Sequence, residues 1–459
     1  MFIAARAGSE LASHSTQVAR LAGRVDAFVA HLVVSPLLVR GAWWMIVGCC
    51  AIRLLTIGRH HSQWLMLLLV LSTAHGAVQW QRLASPQTGE YSGVAFARSD
   101  PAMQRGATSL IVEVDGENFR LVARGRARNA LHHVRMGDAL LIDASRTAYD
   151  ARRLRFVAGK HVQGELRDVI VHATSPSTAA WHLAANRVHE VVDRGSRVMD
   201  EHDAALVRGL VLGDESRQPG RMTTAFRRAG LGHLLAVSGQ NLVLLLAALT
   251  PALRRLGRWQ RLAAALGTVA LFALVTRLES SVVRAGVMAA VVQVGYAIGR
   301  DVMPLRALAL TVITIVTIDP LATWSIGFVL SVAATAGLIA ITPRLGASIF
   351  AATAAAQFAV APFVIRWFGS MPSLALATNV LAVPVASCVM VAGPPVLAVA
   401  AFVPDTVAEV LALPVVAAVR WVWWVAEWGT RLAPSGWVNL VVWLAIVALA
   451  VWRGAVHRE

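Results

Sequence analysis

Residues 231–261 read LGHLLAVSGQNLVLLLAALTPALRRLGRWQR, and their reading decides the class of fold. The stretch 231–253 carries no Lys, Arg, Asp or Glu, and a hydrocarbon core of about 30 Å needs roughly 20 helical residues to cross it. It reads as a membrane span. Arg254, Arg255, Arg258 and Arg261 follow directly, and a short loop this basic belongs in the cytoplasm. Outward from there, 320–343, 345–365, 367–404 and 432–452 are further long apolar stretches. The runs 262–276, 282–298 and 307–318 are shorter, and Arg277, Glu279, Arg284, Arg300 and Arg306 in or beside them can snorkel toward the interfaces. Residues 41–57 and 63–80 form an apolar hairpin behind a polar arm, 1–31, that is too long and too charged for a signal-peptide n-region and is expected to stay uncleaved. The expectation is a polytopic α-helical membrane protein of about ten or eleven spans.

Alternation from the Arg254–Arg261 loop places Arg300, Arg306 and Arg344 inside and the long polar stretch before Leu231 outside, while Arg366 falls outside against the rule. Residues 406–432, with Arg420, Glu427, Pro414 and Trp421, Trp423, Trp424 and Trp428, suit either an interfacial helix or a span.

Composition agrees with a membrane class: of 459 residues 57% are hydrophobic and 15% charged, at a mean hydropathy of +0.60. Lys+Arg 42 against Asp+Glu 26 gives +16, yet Lys160 is the single lysine. A Walker-type phosphate loop needs Gly-Lys before Ser or Thr, and Gly159-Lys160 is followed by His161. Cys49, Cys50 and Cys388 make neither a disulfide framework nor a zinc quartet. Much of the basicity is topological, so DNA binding is not read from net charge.

Between the hairpin and Leu231 the composition is that of a soluble domain. Residues 91–97, 109–113, 118–123, 139–145, 154–158 and 161–171 have strand rhythm, with Asp115-Gly116 and Gly137-Asp138 as turn signals. So many short strands predict an inserted small extracytoplasmic β-barrel, OB-fold-like. Phe96, Phe119, Tyr149 and Phe156 admit two roles there, stacking on bases or filling a core. From Trp181 the apolar residues recur at helical spacing among charges, which predicts amphipathic helices at the outer surface. The resulting division is 1–83 for the arm and hairpin, 84–175 for the β domain, 176–230 for the amphipathic helices, 231–452 for the membrane core and 453–459 for a cytoplasmic tail.

Four ordered blocks carry a family resemblance: LVRGLVLGDESRQPGRMTTAFRRAGLGHLLAVSGQNLVLL (206–245), SSVVRAGVMA (280–289), DPLATWSIGFVLSVAATAGL (319–338) and AAQFAVAPFVIRWFGSMPSLALATNVLAVPV (355–385). The chain resembles the ComEC competence family of DNA-internalisation channels over most of 88–452. The resemblance implies an inner-membrane channel for uptake of single-stranded DNA into the cytoplasm during natural transformation. It further implies an extracytoplasmic DNA receptor and a cytoplasmic ATPase or helicase supplied by other chains, membrane lipids as surroundings, and a separate nuclease. The sequence departs from the family at Ser238-Gly239-Gln240-Asn241, where the family usually reads Ser-Gly-Leu-His, and at Val329-Leu330-Ser331, where Gln usually precedes Leu-Ser. Asn241 hydrogen-bonds but does not titrate near neutral pH. Many family members end in a metallo-β-lactamase-like domain. Residues 1–459 hold no His-x-His-x-Asp-His run, so neither a metal, a cofactor nor an enzymatic activity is expected of this chain.

Polar groups inside an apolar bundle cost roughly 2.5–3.5 kcal/mol for a central charge, so each needs a reason. Arg277 and Arg284, seven residues apart, are candidates to line a DNA pathway; Arg284 can present a guanidinium to phosphates, or snorkel or pair with Glu279. His233, Ser238, Gln240 and Asn241 either line a pathway or hydrogen-bond between packed helices. Gln293, Gln357 and Asn379 invite the same two readings, and Pro362, Pro384 and Gly393-Pro394-Pro395 are expected to break helices around a cavity. The rival to a DNA channel is a transporter of another solute, or a non-transporting scaffold on the same fold. Paired inverted repeats would favour a transporter, and none is evident.

Overall fold

The computed structural model describes residues 61–445 apart from 105, 132, 215, 236–238, 347, 370, 435–437, 440 and 444. The first half of the expected hairpin, 41–57, most of the last span, 432–452, the arm 1–31 and the tail 453–459 lie outside the described residues.

The helix α1 (His61–Ala84) leads into six strands: β1 (Gly89–Ala97), β2 (Ala102–Gln104), β3 (Ala107–Val114), β4 (Glu117–Ala123), β5 (Ala139–Ala148) and β6 (Val162–Ser175). Two short helices, α2 (Arg126–Ala130) and α3 (Ala151–Val157), interrupt them. Strand order is β1-β5-β6-β4-β3-β2, with β1 also paired to β3. All pairings are antiparallel except β4 with β6. Asp115 and Gly116 both have positive φ, 51° and 79°, between the paired Val114 and Glu117, the backbone a two-residue hairpin requires. Alternate residues of the strands, among them Leu110, Val112, Phe119, Leu121, Leu140, Ile142 and Leu166, fill one core. One expected strand, 154–158, is helical instead. Asp150 caps α3 by accepting from the Arg153 amide at 2.9 Å, and Leu154 and Ala158, four apart on one helical face, bury against Trp80, Leu321 and Trp324.

Then follow α4 (Ala180–Gly195), α5 (Glu201–Leu212), α6 (Gly220–Arg228), α7 (Gly232–Leu235), α8 (Gly239–Leu253), α9 (Arg258–Val275), α10 (Ser280–Ala297), α11 (Pro304–Ile318), α12 (Ile326–Leu345), α13 (Ile349–Phe368), α14 (Ala375–Ala400) and α15 (Asp405–Leu432). Among the described residues, five helices are long and apolar enough to cross a membrane: α10, α12, α13, α14 and α15. α8 and α11 are apolar but have 15 residues each, about 22 Å of helix, short of a full crossing. The chain is a polytopic helical membrane protein with a small β-sheet region.

Three expectations change. α4 is amphipathic, burying Ala185, His189, Val192 and Gly195 along one face, but α5 is not. Every residue from Asp203 to Leu212 is buried, and Leu206 and Leu210 share a core with Met222 and Phe226 of α6, Ala386 and Leu397 of α14, and Val419 and Val422 of α15. The prolines do not end their helices: α14 continues through Pro384, Pro394 and Pro395, and α13 through Pro362. Neighbouring helices and local adjustment accommodate the lost amide donors.

The third change concerns sidedness. Strict alternation puts the end of α9 outside and the end of α14 inside. α4 touches both, since His189 Nε2 lies 2.8 Å from the Val275 carbonyl oxygen and a Cβ at Gly195 would meet the Leu397 carbonyl oxygen at 2.1 Å. His189 and Gly195 are about 9 Å apart along a helix, against a core of about 30 Å. The two ends therefore share one side, and an even number of crossings separates them. In a background lacking Cys49, Cys50 and Cys388, Phe402→Cys and Gly125→Cys are both expected to react with an impermeant thiol reagent outside cells, while Gly257→Cys should stay protected. Protection of both Phe402→Cys and Gly257→Cys would restore strict alternation.

Candidate functional site

Three polar residues of the membrane core, Gln240, Asn241 and Arg284, lie at the start of α8. Asn241, buried, donates from Nδ2 to the Leu210 carbonyl oxygen at 3.2 Å, tying α8 to α5. Gln240 is exposed and donates to Ser387 Oγ of α14 at 3.2 Å. Gly239 has no side chain for a steric reason: a Cβ there would lie 2.7 Å from Ala285 Cβ and 3.1 Å from Arg284 Nη2. This close approach seats Arg284, only 6% exposed, against the first turn of α8, and its Nε finds no hydrogen-bond partner among the described residues.

The other residues singled out in the sequence are not all brought there. Ser238 lies outside the described residues, and His233 is exposed on α7. Gln293 is half-buried on α10, nine residues beyond Arg284, so about 13 Å farther along the helix. Gln357 Nε2 on α13 and Asn379 Oδ1 on α14 are buried without partners among the described residues. Arg277 is engaged elsewhere. Its Nε and Nη2 reach Asp100 Oδ2 and Oδ1 at 2.8 and 3.0 Å, and Nη2 also donates to Asn186 Oδ1 at 2.7 Å. This guanidinium clamps the β1–β2 loop and α4 to the α9–α10 turn.

Sequence reading missed Gln218. It is buried beside Gly209, where a Cβ would fall 2.2 Å from Nε2, and neither amide atom finds a partner among the described residues. Burying an amide unpaired costs roughly 1–3 kcal/mol. No periodicity marks a lone glutamine in a loop, so only burial reveals it. Arg208 was also missed. It is buried in α5 with Nη1 on Asp193 Oδ1 at 3.3 Å, and Asp193 also accepts from Arg135 of the β domain at 3.0 Å. A polar cavity of ≈ 140 Å³ lies at this junction, lined by Asp100, Thr108, Arg135, Asp193, Asp214 and Arg217 among others.

A second contact seats the β domain. Trp80 packs on Trp324 at 5.0 Å between ring centres, and Gly159 lies so near Ser325 that a Cβ would meet its backbone nitrogen at 2.7 Å. Here His161 Nε2 lies 3.0 Å from Asp319 Oδ2. That hydrogen bond, aided by the carboxylate charge and opposed by partial burial, raises the His161 pKa above the ordinary histidine value. A raised histidine stabilises fully below its unfolded value, about 6.5, and the contribution disappears as pH climbs through the folded value. Protease protection of the β domain is thus expected to hold below about pH 6 and to fall as pH rises past about 6.5 toward the higher folded value. His161→Gln should flatten that dependence, and an unchanged slope would show that another group sets it.

On the β domain, Phe119 is core, Tyr149 is half-buried with Arg153 over its ring at 4.3 Å, and Phe96 and Phe156 are 50% and 67% exposed. Among the described residues no group of three or more His, Cys, Asp or Glu could hold a metal ion.

Three comparisons bear on identity. The Competence protein family matches residues 210–457, which contain the start of α8, Arg284, Gln357 and Asn379. Over 209 residues the chain is 27% identical to ComE operon protein 3 of Bacillus subtilis (strain 168), covering 45% of this chain and 26% of that protein's length. No solved structure matches. The family match takes in more than half of the chain, and with Gly239, Asn241 and Arg284 packed together inside it, the chain belongs to the Competence protein family.

Proposed function

We propose that this chain is an inner-membrane conduit through which single-stranded DNA enters the cytoplasm during natural transformation. Membership of the Competence family across the membrane core carries the reading. The buried polar groups at the start of α8 fit it, because an apolar bundle keeps an arginine and amides only where they pair or face a hydrated path. In this reading Arg284 meets backbone phosphates, and Gln240 and Asn241 replace water around the strand. Contacts are weak and repeated, since tight sites would stall a sliding polymer. The pull comes from a cytoplasmic ATPase or helicase, delivery from an extracytoplasmic receptor, and any strand degradation from a separate nuclease.

The strands at 89–175 are read as a small OB-type barrel on the outer side. That β1 pairs with both β3 and β5, and that β4 runs parallel to β6, supports closure of the sheet. The proposal includes no catalytic step in this chain. Metal-dependent DNA cleavage that copurifies with the protein and disappears in a point variant would overturn that part.

A clean deletion of the gene is expected to abolish transformation by genomic DNA, and normal transformation would sink the reading. Within the intact protein, Arg284→Ala should keep membrane abundance yet lower cytoplasmic entry of labelled DNA. Arg284→Lys should recover part of it, because a point charge attracts phosphate without bidentate geometry. Full entry in the alanine variant would remove Arg284 from the path.

A further inference from the structure

α6 lies at the far end of the α14–α15 pair from α4. At the α4 end, Arg197 donates to the Ala400 carbonyl oxygen and to Asp405 Oδ1, both at 2.9 Å. At the other end, Thr378 Oγ1 donates to the Ala229 carbonyl oxygen at 2.7 Å, and Thr430 Oγ1 to that of Ala225 at 2.9 Å. Thr378 and Ala400 are 22 residues apart on α14, about 33 Å of helix, against a hydrocarbon core of about 30 Å. Since the α4 end shares the outer side with the end of α9, α6 meets the cytoplasmic face.

The chemistry of α6 suits that surface. Met222, Ala225 and Phe226 are buried on one side, while Arg221, Arg227 and Arg228 are exposed on the other, which makes a short basic amphipathic helix. Beside it three indoles form a ladder on α15. Trp421 and Trp424 stack at 5.3 Å between ring centres, and Trp424 and Trp428 at 6.4 Å. Trp421 and Trp424 are 42% and 52% exposed, on a helix whose exposed residues nearer its start are Val407 and Val410. Glu427 joins the two helices, accepting from Arg221 at 2.8 Å and facing Arg431 at 3.1 Å. One carboxylate shared by two exposed guanidiniums leaves positive charge over, and Arg227 and Arg228 add to it.

Along α15 the exposed groups therefore run from aliphatic to indole to guanidinium, the order of hydrocarbon, headgroup boundary and phosphate in a bilayer leaflet. Single-stranded DNA also stacks on indoles, but consecutive rings of this ladder cover one another's faces, which a base would need. The excess of guanidinium selects a phosphate lipid with net negative charge over a zwitterionic one. We infer that α6 and the Trp421, Trp424 and Trp428 ladder form a binding site for an anionic phospholipid at the cytoplasmic surface of the membrane. The bound headgroup pins α6, and with it the turn at Gly230 that leads into α7 and α8.

The test uses full-length protein purified in detergent and titrated with phosphatidylglycerol or phosphatidylcholine, read by native mass spectrometry. Wild type is expected to prefer phosphatidylglycerol. Each arginine near an anionic surface is worth roughly fivefold in affinity, so Arg227→Gln combined with Arg228→Gln should raise the phosphatidylglycerol Kd roughly tenfold or more and leave phosphatidylcholine unchanged. Trp424→Leu should weaken both lipids, because an indole senses the headgroup boundary and not the charge. Arg254→Gln combined with Arg255→Gln, in the other basic cytoplasmic segment, should keep the preference. An equal loss in that control, or an unchanged preference in the Arg227 and Arg228 variant, overturns the site. Loss of single-stranded oligonucleotide binding in Trp424→Leu with phosphatidylglycerol retained would make the ladder a base platform and overturn it too. In intact cells lacking the native cysteines, Thr224→Cys should resist an impermeant thiol reagent and react in inverted vesicles; labelling from outside places α6 on the wrong surface and refutes the inference.

Discussion

Asp100→Ala is expected to unseat the β domain from the helices and to lower stability by roughly 3–5 kcal/mol, because it strips a buried arginine of its counter-ion. The Arg277 and Asp100 side chains are only 12% and 17% exposed, so water cannot replace the lost partner cheaply. Asp100 also accepts the Met136 amide at 2.8 Å, and this bond goes with the carboxylate. The turn depends on that clamp, since Arg277 and Leu278 both take left-handed backbone, φ 57° and 56°. Such residues cost about 1–3 kcal/mol each and persist only when surroundings over-determine them. Asp100→Ala combined with Arg277→Gln should recover part of the loss, as the uncompensated charge is gone. Thermal unfolding and protease sensitivity of the purified protein would measure both. If Asp100→Ala unfolds like wild type, the clamp is an ordinary surface pair and the seating is due to Trp80, Trp324 and Gly159.

Gly195→Ala is the second large expected effect. The added Cβ would sit 2.1 Å from the Leu397 carbonyl oxygen and 2.9 Å from Leu397 Cα, and no rotamer change moves a backbone. α4 must lift off α14. Overpacking of this kind costs typically 1–3 kcal/mol, and here it also strains the junction below, where Arg197 donates to Ala400 and Val403 carbonyl oxygens and to Asp405 Oδ1, each at 2.9 Å. Gly267→Ala is the matched control. Gly267 lies inside α9 with nothing within 4 Å of its would-be Cβ, so alanine should gain up to about 1 kcal/mol of helix stability. Equal melting of the two variants would mean that α4 and α14 do not rely on this contact.

The charges of α15 have partners that are distant along the chain. Arg420, which made 406–432 ambiguous as a span, binds Asp203 at 2.7 Å and Asp200 at 2.6 Å, and Glu427 accepts from Arg221 at 2.8 Å. These pairs fasten α15 to α5 and α6. Trp423 between them packs on His202 and Phe226. By length and composition the helix is apolar enough to cross a membrane, and its charges pair with residues of α5 and α6.

Local chemistry makes part of this protein legible along the chain. Uncharged runs near the length of a bilayer core read as helices in or beside a membrane, so 320–343, 345–365 and 367–404 marked the places of α12, α13 and α14 without coordinates. Alternating residues around Asp115-Gly116 can only be a hairpin, because both turn positions need positive φ. The tertiary structure alone decided matters that depend on a neighbour distant in sequence. Residues 154–158 became helical once α1 and Leu321 offered a face to cover. α5 became buried all round, although its charges suggested a surface, because Arg208 and Asp203 found Asp193 and Arg420. Arg277 and Arg284 look alike along the chain, and only their partners tell them apart: a buried carboxylate satisfies the first, while the second rests on a bare Gly239 with a donor left over. Hydropathy reports the solvent a segment prefers, which is a property of the segment; whether a buried polar atom is satisfied is a property of two segments, and no single stretch of sequence contains it.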